Sequence, residues 1–262
     1  MGFFGKLFEK KECAICGGEI GLLGNRKLED GNMCKNCAAK LSPWFSDRRN
    51  STIAEIEEQL AYREANKEKV AAFHITRTMG TYTKLLLDED QGVFMVTSAR
   101  ELEKANPDVI GFDQVTGVDI DIDENYTEEK REVTEKDGSK KQVSFNPPRY
   151  TWEYDFHVII RINSPYFDEI RIRLNSSNVE LNRDLPLPMM RKPSPEMNPD
   201  YCEYKEMAQE IKTILTEGRA QVRAEAKAAA APKAAVTCPY CGATTTPDAS
   251  GCCEYCGGAV NA

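Results

Sequence analysis

Histidine is nearly missing from this chain: His74 and His157 are the only two in 262 residues. His157 falls in the apolar run Tyr154–Ile162 and His74 at a junction between segments. Neither accompanies a nucleophile motif, so both read as structural and no catalytic centre is evident. The glycine-rich signatures of P-loop and dinucleotide-binding proteins are absent, and no small-molecule substrate is indicated. The acidic run from Asp119 through Glu129 lacks the glycine and terminal glutamate of a calcium loop. No apolar stretch approaches the ~20 residues that cross a bilayer. The opening MGFFGKLFEKKEC has too short an apolar run, and no cleavage pattern, for a signal peptide. Lys and Arg number 34 against 42 Asp and Glu, a net charge of −8. That balance lacks the basic footprint of a nucleic-acid-binding chain. These gaps predict a soluble, cytoplasmic, non-enzymatic protein.

What is present is cysteine, unevenly spread. Eight of the 10 cysteines form four Cys-x-x-Cys pairs. Cys13/Cys16 and Cys34/Cys37 are separated by 17 residues, and Cys238/Cys241 and Cys253/Cys256 by 11. Two such pairs at these spacings supply the four corners of one tetrahedral site, and soft thiolates select Zn²⁺ over Mg²⁺ or Ca²⁺. Two structural zinc sites are therefore expected, each filled by four sulfurs with no open position for a substrate. Cys252 adjoins the last pair, and either Cys252 or Cys253 can ligate; Cys253 is preferred because it completes Cys-x-x-Cys with Cys256. Cys202 is a lone thiol and reads as inert packing. The distribution suits a reducing compartment better than a secreted disulfide framework.

The first module spans residues 13–46. Gly17 after Cys16 permits a positive-φ turn that frees amides to point at sulfur. Cys37-Ala38-Ala39-Lys40-Leu41 predicts a helix beginning at the second pair and ending before Pro43. A knuckle facing a helix N-terminus is a treble-clef-like arrangement, and the helix end favours anionic thiolates. Leu22, Leu23 and Leu28 are the expected small core, with turns at Asn25 and Asp30-Gly31-Asn32. Cys13-x-x-Cys16-Gly17, Gly21-Leu22-Leu23, Arg26-Lys27-Leu28, Asp30-Gly31, Cys34-x-x-Cys37 and Lys40-Leu41-Ser42-Pro43 resemble the bacterial zinc-finger family known as domain of unknown function 4428. The resemblance covers about the first fifty residues. It implies zinc binding at Cys13, Cys16, Cys34 and Cys37 and no established activity.

Residues 1–12 place Phe3, Phe4 and Phe8 among lysines. They read either as a cover for the zinc module, which is preferred, or as an amphipathic anchor on a membrane or partner. Residues 47–73 predict a spacer helix, opened by a Thr52/Glu55 capping box and carrying Ile53, Ile56 and Leu60 on one face. Its remaining Lys and Glu residues read as a solvated surface.

Residues 74–218 carry β-rich runs at Thr81–Leu87, Val93–Thr97, Val109–Phe112, Gly117–Ile122, Val143–Phe145, Thr151–Ile162 and Phe167–Leu174, then a helix over about 199–218. Seven strands and a closing helix are similar to a pleckstrin-homology-like barrel, as is the phrase Phe112-Asp113-Gln114-Val115-Thr116-Gly117-Val118. Barrels of this kind serve as binding platforms. Lys130, Arg131, Lys140 and Lys141 gather on a hairpin where they would meet anionic headgroups, although interspersed glutamates make a solvated hairpin the preferred reading. Residues 219–236 form an Ala-rich linker that continues the helix until Pro232. Residues 237–262 form a zinc ribbon with no Lys or Arg, which disfavours phosphate contacts and favours protein.

The fold class expected is α+β: treble-clef-like zinc module, spacer helix, pleckstrin-homology-like β-barrel with C-terminal helix, and zinc ribbon. The expected function is a non-catalytic zinc-binding adaptor with a protein partner. Binding to a membrane surface, which would make the protein membrane-peripheral, is the alternative, and nucleic-acid binding ranks below both.

Overall fold

The computed structural model describes residues 11–21, 23–181, 194–230, 235–248 and 251–260. Phe3, Phe4, Phe8 and Leu22 lie outside the described residues. The chain divides into two compact units, Met1–Ala220 and Gln221–Ala262.

The first unit opens with two small hairpins, each closed by a turn its sequence demands. Strands β1 (Lys11–Glu12) and β2 (Glu19–Ile20) flank the first cysteine pair, and β3 (Asn25–Lys27) and β4 (Asn32–Cys34) flank the Asp30-Gly31 turn. Helix α1 is short, Lys35–Ala38, and begins at the second cysteine pair as expected. Leu28 is buried, but Leu23 is 92% exposed. The core instead gathers Ile20, Leu28, Met33 and Leu41 around Cys13 and Cys37, with Ile56 arriving from the next helix. A module this small fills its interior with whatever its neighbour supplies.

That neighbour is α2, Ile53–Ala72, opened by the Thr52/Glu55 capping box. Asp30 of the module also accepts a hydrogen bond from the Ile53 amide at 2.9 Å, which adds a second cap. The buried positions of α2 are Ile56, Gln59, Arg63, Asn66 and Val70, one helical stripe that is more polar than expected.

Eight strands follow. One four-stranded antiparallel sheet runs β5-β6-β7-β8: β5 (Arg77–Met79), β6 (Lys84–Asp88), β7 (Val93–Thr97) and β8 (Ile110–Gly111), with the short helix α3 (Leu102–Ala105) between the last two. The second sheet is built on two long strands, β9 (Val115–Thr134) and β10 (Lys140–Ile162). On its other edge β10 pairs first with β12 (Val179–Leu181) through Trp152–Tyr154 and then with β11 (Glu169–Arg173) through His157–Arg161. Beyond Trp152 the β9–β10 pair continues as a two-stranded ribbon to its Asp137-Gly138 turn.

The expected barrel is therefore not closed: among the described residues the strands make two separate sheets. Gly117–Ile122 extends far into charged sequence, and the runs at 143–145 and 151–162 merge into one strand. Pro147 and Pro148 are taken up by a register shift between Ser144 and Arg149, a position at which a strand tolerates proline.

Helix α4, Pro199–Ala230, covers the second sheet with Tyr201, Ala208, Ile211 and Leu215, which recur at helical spacing. Tyr201 meets Tyr154 and Phe156 edge-on, each with ring centroids 5.0 Å apart. At Gly218 the helix passes so near Phe112 that a Cβ would lie 2.4 Å from the ring. No described helix is long and apolar enough to cross a membrane.

In the second unit, β13 (Val236–Thr237) pairs with β14 (Thr244–Thr245), and Cys252 bridges Ala259. Its hydrophobic cluster is Cys238, Cys253 and Val260, with Val236 packed beside them, and Thr245 and Pro247 are buried as well.

Candidate metal centres

Three of the four cysteine pairs are built by one backbone device. Cys13 N–H donates to Gly18 O at 2.9 Å and Gly17 N–H to Cys13 O at 2.8 Å. The same two bonds recur at Cys238/Ala243 and Gly242/Cys238, and at Cys253/Gly258 and Gly257/Cys253. Each knuckle turns at a glycine of positive φ: Gly17 at 68°, Gly242 at 71° and Gly257 at 69°. The fourth pair differs. Cys34 is the N-cap of α1, its sulfur accepting from the Cys37 amide at 3.4 Å, and the Cys34 amide donates to Cys13 Sγ at 3.2 Å. One knuckle thus faces one helix N-terminus in the first module, and two knuckles face each other in the second.

Cys13, Cys16, Cys34 and Cys37 bring their sulfurs within 4.8 Å of one another, and so do Cys238, Cys241, Cys253 and Cys256. Cys252 is in neither group, and Cys202 stands apart with its thiol donating to Glu196 O at 3.2 Å. Each group can hold a metal ion.

The thiols could become four thiolates only around one. Burial raises the Cys13 thiol, but the amides of Cys34, Cys16 and Ile15 outweigh it and bring it to about 6. Burial and the three neighbouring sulfurs push Cys37 up to about 12. The second module repeats the split. Burial raises Cys253, but the amides of Cys256 and Tyr255 lower it to about 6. The Gly258 amide lowers Cys256, but Cys241 and Cys238 drive it to about 12. Four sulfurs this close cannot all be thiolates without a cation among them. A dication would supply that charge, and its binding would then be part of folding.

The sequence did not reveal what joins the first module to the sheets. Arg63 of α2 donates to Asp108 Oδ1 at 2.7 Å, and the two side chains are 6% and 0% exposed. Arg63 also donates to Asn106 O and, at 3.3 Å, to Lys40 O of the zinc module. Ser42, just beyond α1, donates to the other Asp108 oxygen at 2.7 Å. Asn66 donates to Asn106 Oδ1 and Pro107 O, both at 2.8 Å, and accepts from the Val109 amide at 3.0 Å. Every charge in this hub has partners, the condition under which a buried ion pair is tolerated. An arginine and an asparagine at helical spacing from Ile56 were the one available signal.

The four hairpin cations do not form one pocket. In register, Lys130 and Lys140 share a face with Glu132, while Arg131 and Lys141 share the opposite face with Val133. Lys140 pairs with Glu132 at 2.7 Å and Lys141 with Glu135 at 3.7 Å. His74 is exposed; His157 sits 3.3 Å from Asp123 on the polar face of the second sheet.

Residues 11–59 match the family described as domain of unknown function DUF4428. The matched stretch takes in the whole first module and the opening turns of α2, including Ile56. No curated protein and no solved structure matches the chain.

Proposed function

We infer that both centres hold Zn²⁺ as a structural ion and that the protein is a non-catalytic adaptor, a treble-clef-like module and a terminal zinc ribbon presented on a β-rich, pleckstrin-homology-like platform. The observation that carries the reading is the closed four-sulfur set at each end. It suits zinc, fills a tetrahedron, and leaves no position for a substrate or an activated water. When bound, the ion supplies folding energy and a formal charge of −2 per site. The chain's own amides at Cys34 and Cys37, and those of the knuckles, hold the sulfurs in place. The buried hub fixes the first module to the sheets as a rigid display surface.

Metal analysis of purified protein tests the metal half: two zinc ions per chain are expected, falling to one in Cys34→Ser and in Cys253→Ser. Disulfides in place of metal would overturn it. A pull-down with the intact chain against one lacking residues 221–262 tests the adaptor half, with loss of a partner expected on truncation.

Attachment to a membrane surface is the second reading. It is favoured by the aromatic side chains on the β9–β10 ribbon, where Tyr126 is 67% exposed and its ring centre lies 5.8 Å from that of Tyr150. Failure to float with anionic vesicles would remove it. Nucleic-acid binding ranks last, because residues 234–262 contain no cation.

A further inference from the structure

Because three cysteine turns are the same knuckle, the side chain just before the second cysteine occupies an equivalent place in each. Those side chains are Ile15, Tyr240 and Tyr255. In the first module Ile15 packs on a cluster to which α2 contributes Ile53, Ile56 and Leu60. In the second module the cluster of Cys238, Cys253 and Val260 has Val236 as its partly buried hydrophobic neighbour, among the described residues. Its two equivalents of Ile15 are left 73% and 71% exposed. Tyr240 nonetheless lies against the module's own backbone. Its ring lies flush on Gly258, where a Cβ would come within 2.6 Å of Cδ2. An uncovered tyrosine ring has only two side-chain torsions to lose and binds at low entropic cost, which is why tyrosine is enriched at contact surfaces.

The charge around these rings has one sign. Residues 234–262 carry Asp248 and Glu254 and neither lysine nor arginine. A zinc ion on four thiolates adds a formal −2. The same surface of a second copy would meet like charge, and so would a phosphate backbone. A cationic segment meets complementary potential and two π faces.

We propose that the Tyr240–Tyr255 surface of the terminal module docks a lysine- or arginine-bearing segment of a partner protein, which covers the knuckles as α2 covers the first one. The proposal rests on the adaptor reading and adds the site and the chemistry of the partner.

The test is a random-peptide display selection on the intact, zinc-loaded chain, followed by fluorescence anisotropy with the recovered peptides. Lys/Arg-containing peptides are expected, with affinity falling as salt rises. Y240A/Y255A should weaken them by about tenfold or more, and Y240F/Y255F, which keeps both π faces, should stay within about threefold. Zinc content is checked in each variant. If Y240A/Y255A loses its second ion, Glu254→Lys decides: weaker binding of the same peptides is expected, and unchanged affinity overturns the proposal. Acidic or uncharged peptides overturn it too. Peptides held equally well by wild type and Y240A/Y255A overturn this surface while leaving the adaptor reading intact. Recovery of no peptide, with binding to vesicles or random DNA instead, overturns both.

Discussion

The two metal modules share a ligand set and differ in what else holds them. The first packs seven buried residues, one of them borrowed from α2, and is bonded to the sheets through Ser42, Lys40, Arg63 and Asp108. The hydrophobic cluster of the second is Cys238, Cys253 and Val260 among its described residues, so two of its three members are ligands. Apolar burial therefore adds to metal ligation in one and almost nothing in the other. Thiolate ligation of zinc is worth about 10–16 kcal/mol in small finger peptides, which is enough to fold either. The difference lies in what each module does to its surroundings when the ion leaves.

Ligand loss is the largest lever on that comparison. In Cys253→Ser, hydrogen exchange should show residues 236–260 unprotected while the melting of the first unit is unchanged. In Cys34→Ser, the loss should spread. Residues 11–46 lose protection, Ile56 is uncovered, and the amides near Asn106–Ile110 exchange faster because Lys40 and Ser42 no longer complete the hub. Equal effects of the two variants on the first unit would break the comparison.

The hub comes next. Arg63→Ala leaves Asp108 buried without its partner, at a cost of about 3–5 kcal/mol to the first unit. Ser42→Ala removes one bond from a carboxylate that keeps its arginine, at about 1 kcal/mol. Chemical denaturation reads both, and neither should alter zinc content at the second site.

How much of this was legible follows from the range of the interactions. The cysteine pairs, the knuckle glycines and the Thr52/Glu55 cap are local devices, and spacing alone identifies them. The hub is not local: Arg63 finds Asp108 45 positions away, and nothing in the charged sequence of α2 separates a buried arginine from a solvated one. The tip of the β9–β10 ribbon reads as a solvated hairpin carrying Lys130, Arg131, Lys140 and Lys141, and the pairing bears that out, but the ribbon's full length was hidden for a related reason. Its Glu- and Lys-rich strands have no apolar alternation, since neither face is buried, and they are held by cross-strand pairing instead. Leu23 misled because a module that borrows Ile56 has no need of every leucine near its cysteines.

A smaller effect separates the modules through their glycines. Gly17 and Gly257 have φ of 68° and 69°, and nothing lies within 4 Å of an added Cβ at either, so alanine costs only backbone strain. That strain is about 1–2 kcal/mol. In the second module the metal-free state has little core to keep the knuckle turned. Gly257→Ala should therefore lose five- to thirtyfold in zinc affinity by chelator competition. In the first, α2 helps to hold the knuckle in both states, the strain partly cancels, and Gly17→Ala should lose less. Equal losses would mean that α2 does not brace the metal-free module.

The smallest expected difference is in acid response near neutrality, because the second unit contains no histidine. Burial, and then the Arg171 guanidinium, hold His157 below its ordinary 6.5; Asp123, Asp155 and Asp121 oppose them without prevailing. The unfolded chain therefore binds this proton more readily than the folded one, so protonation favours unfolding. The His157 contribution is complete above 6.5 and declines as pH falls from there through the lower folded value. With zinc saturating, denaturation of the first unit should weaken over that window, and His157→Gln should flatten part of the slope. The metal sites cannot account for that difference, since both proteins keep all eight sulfurs. An unchanged slope in His157→Gln would show that the three aspartates offset burial and Arg171 in full.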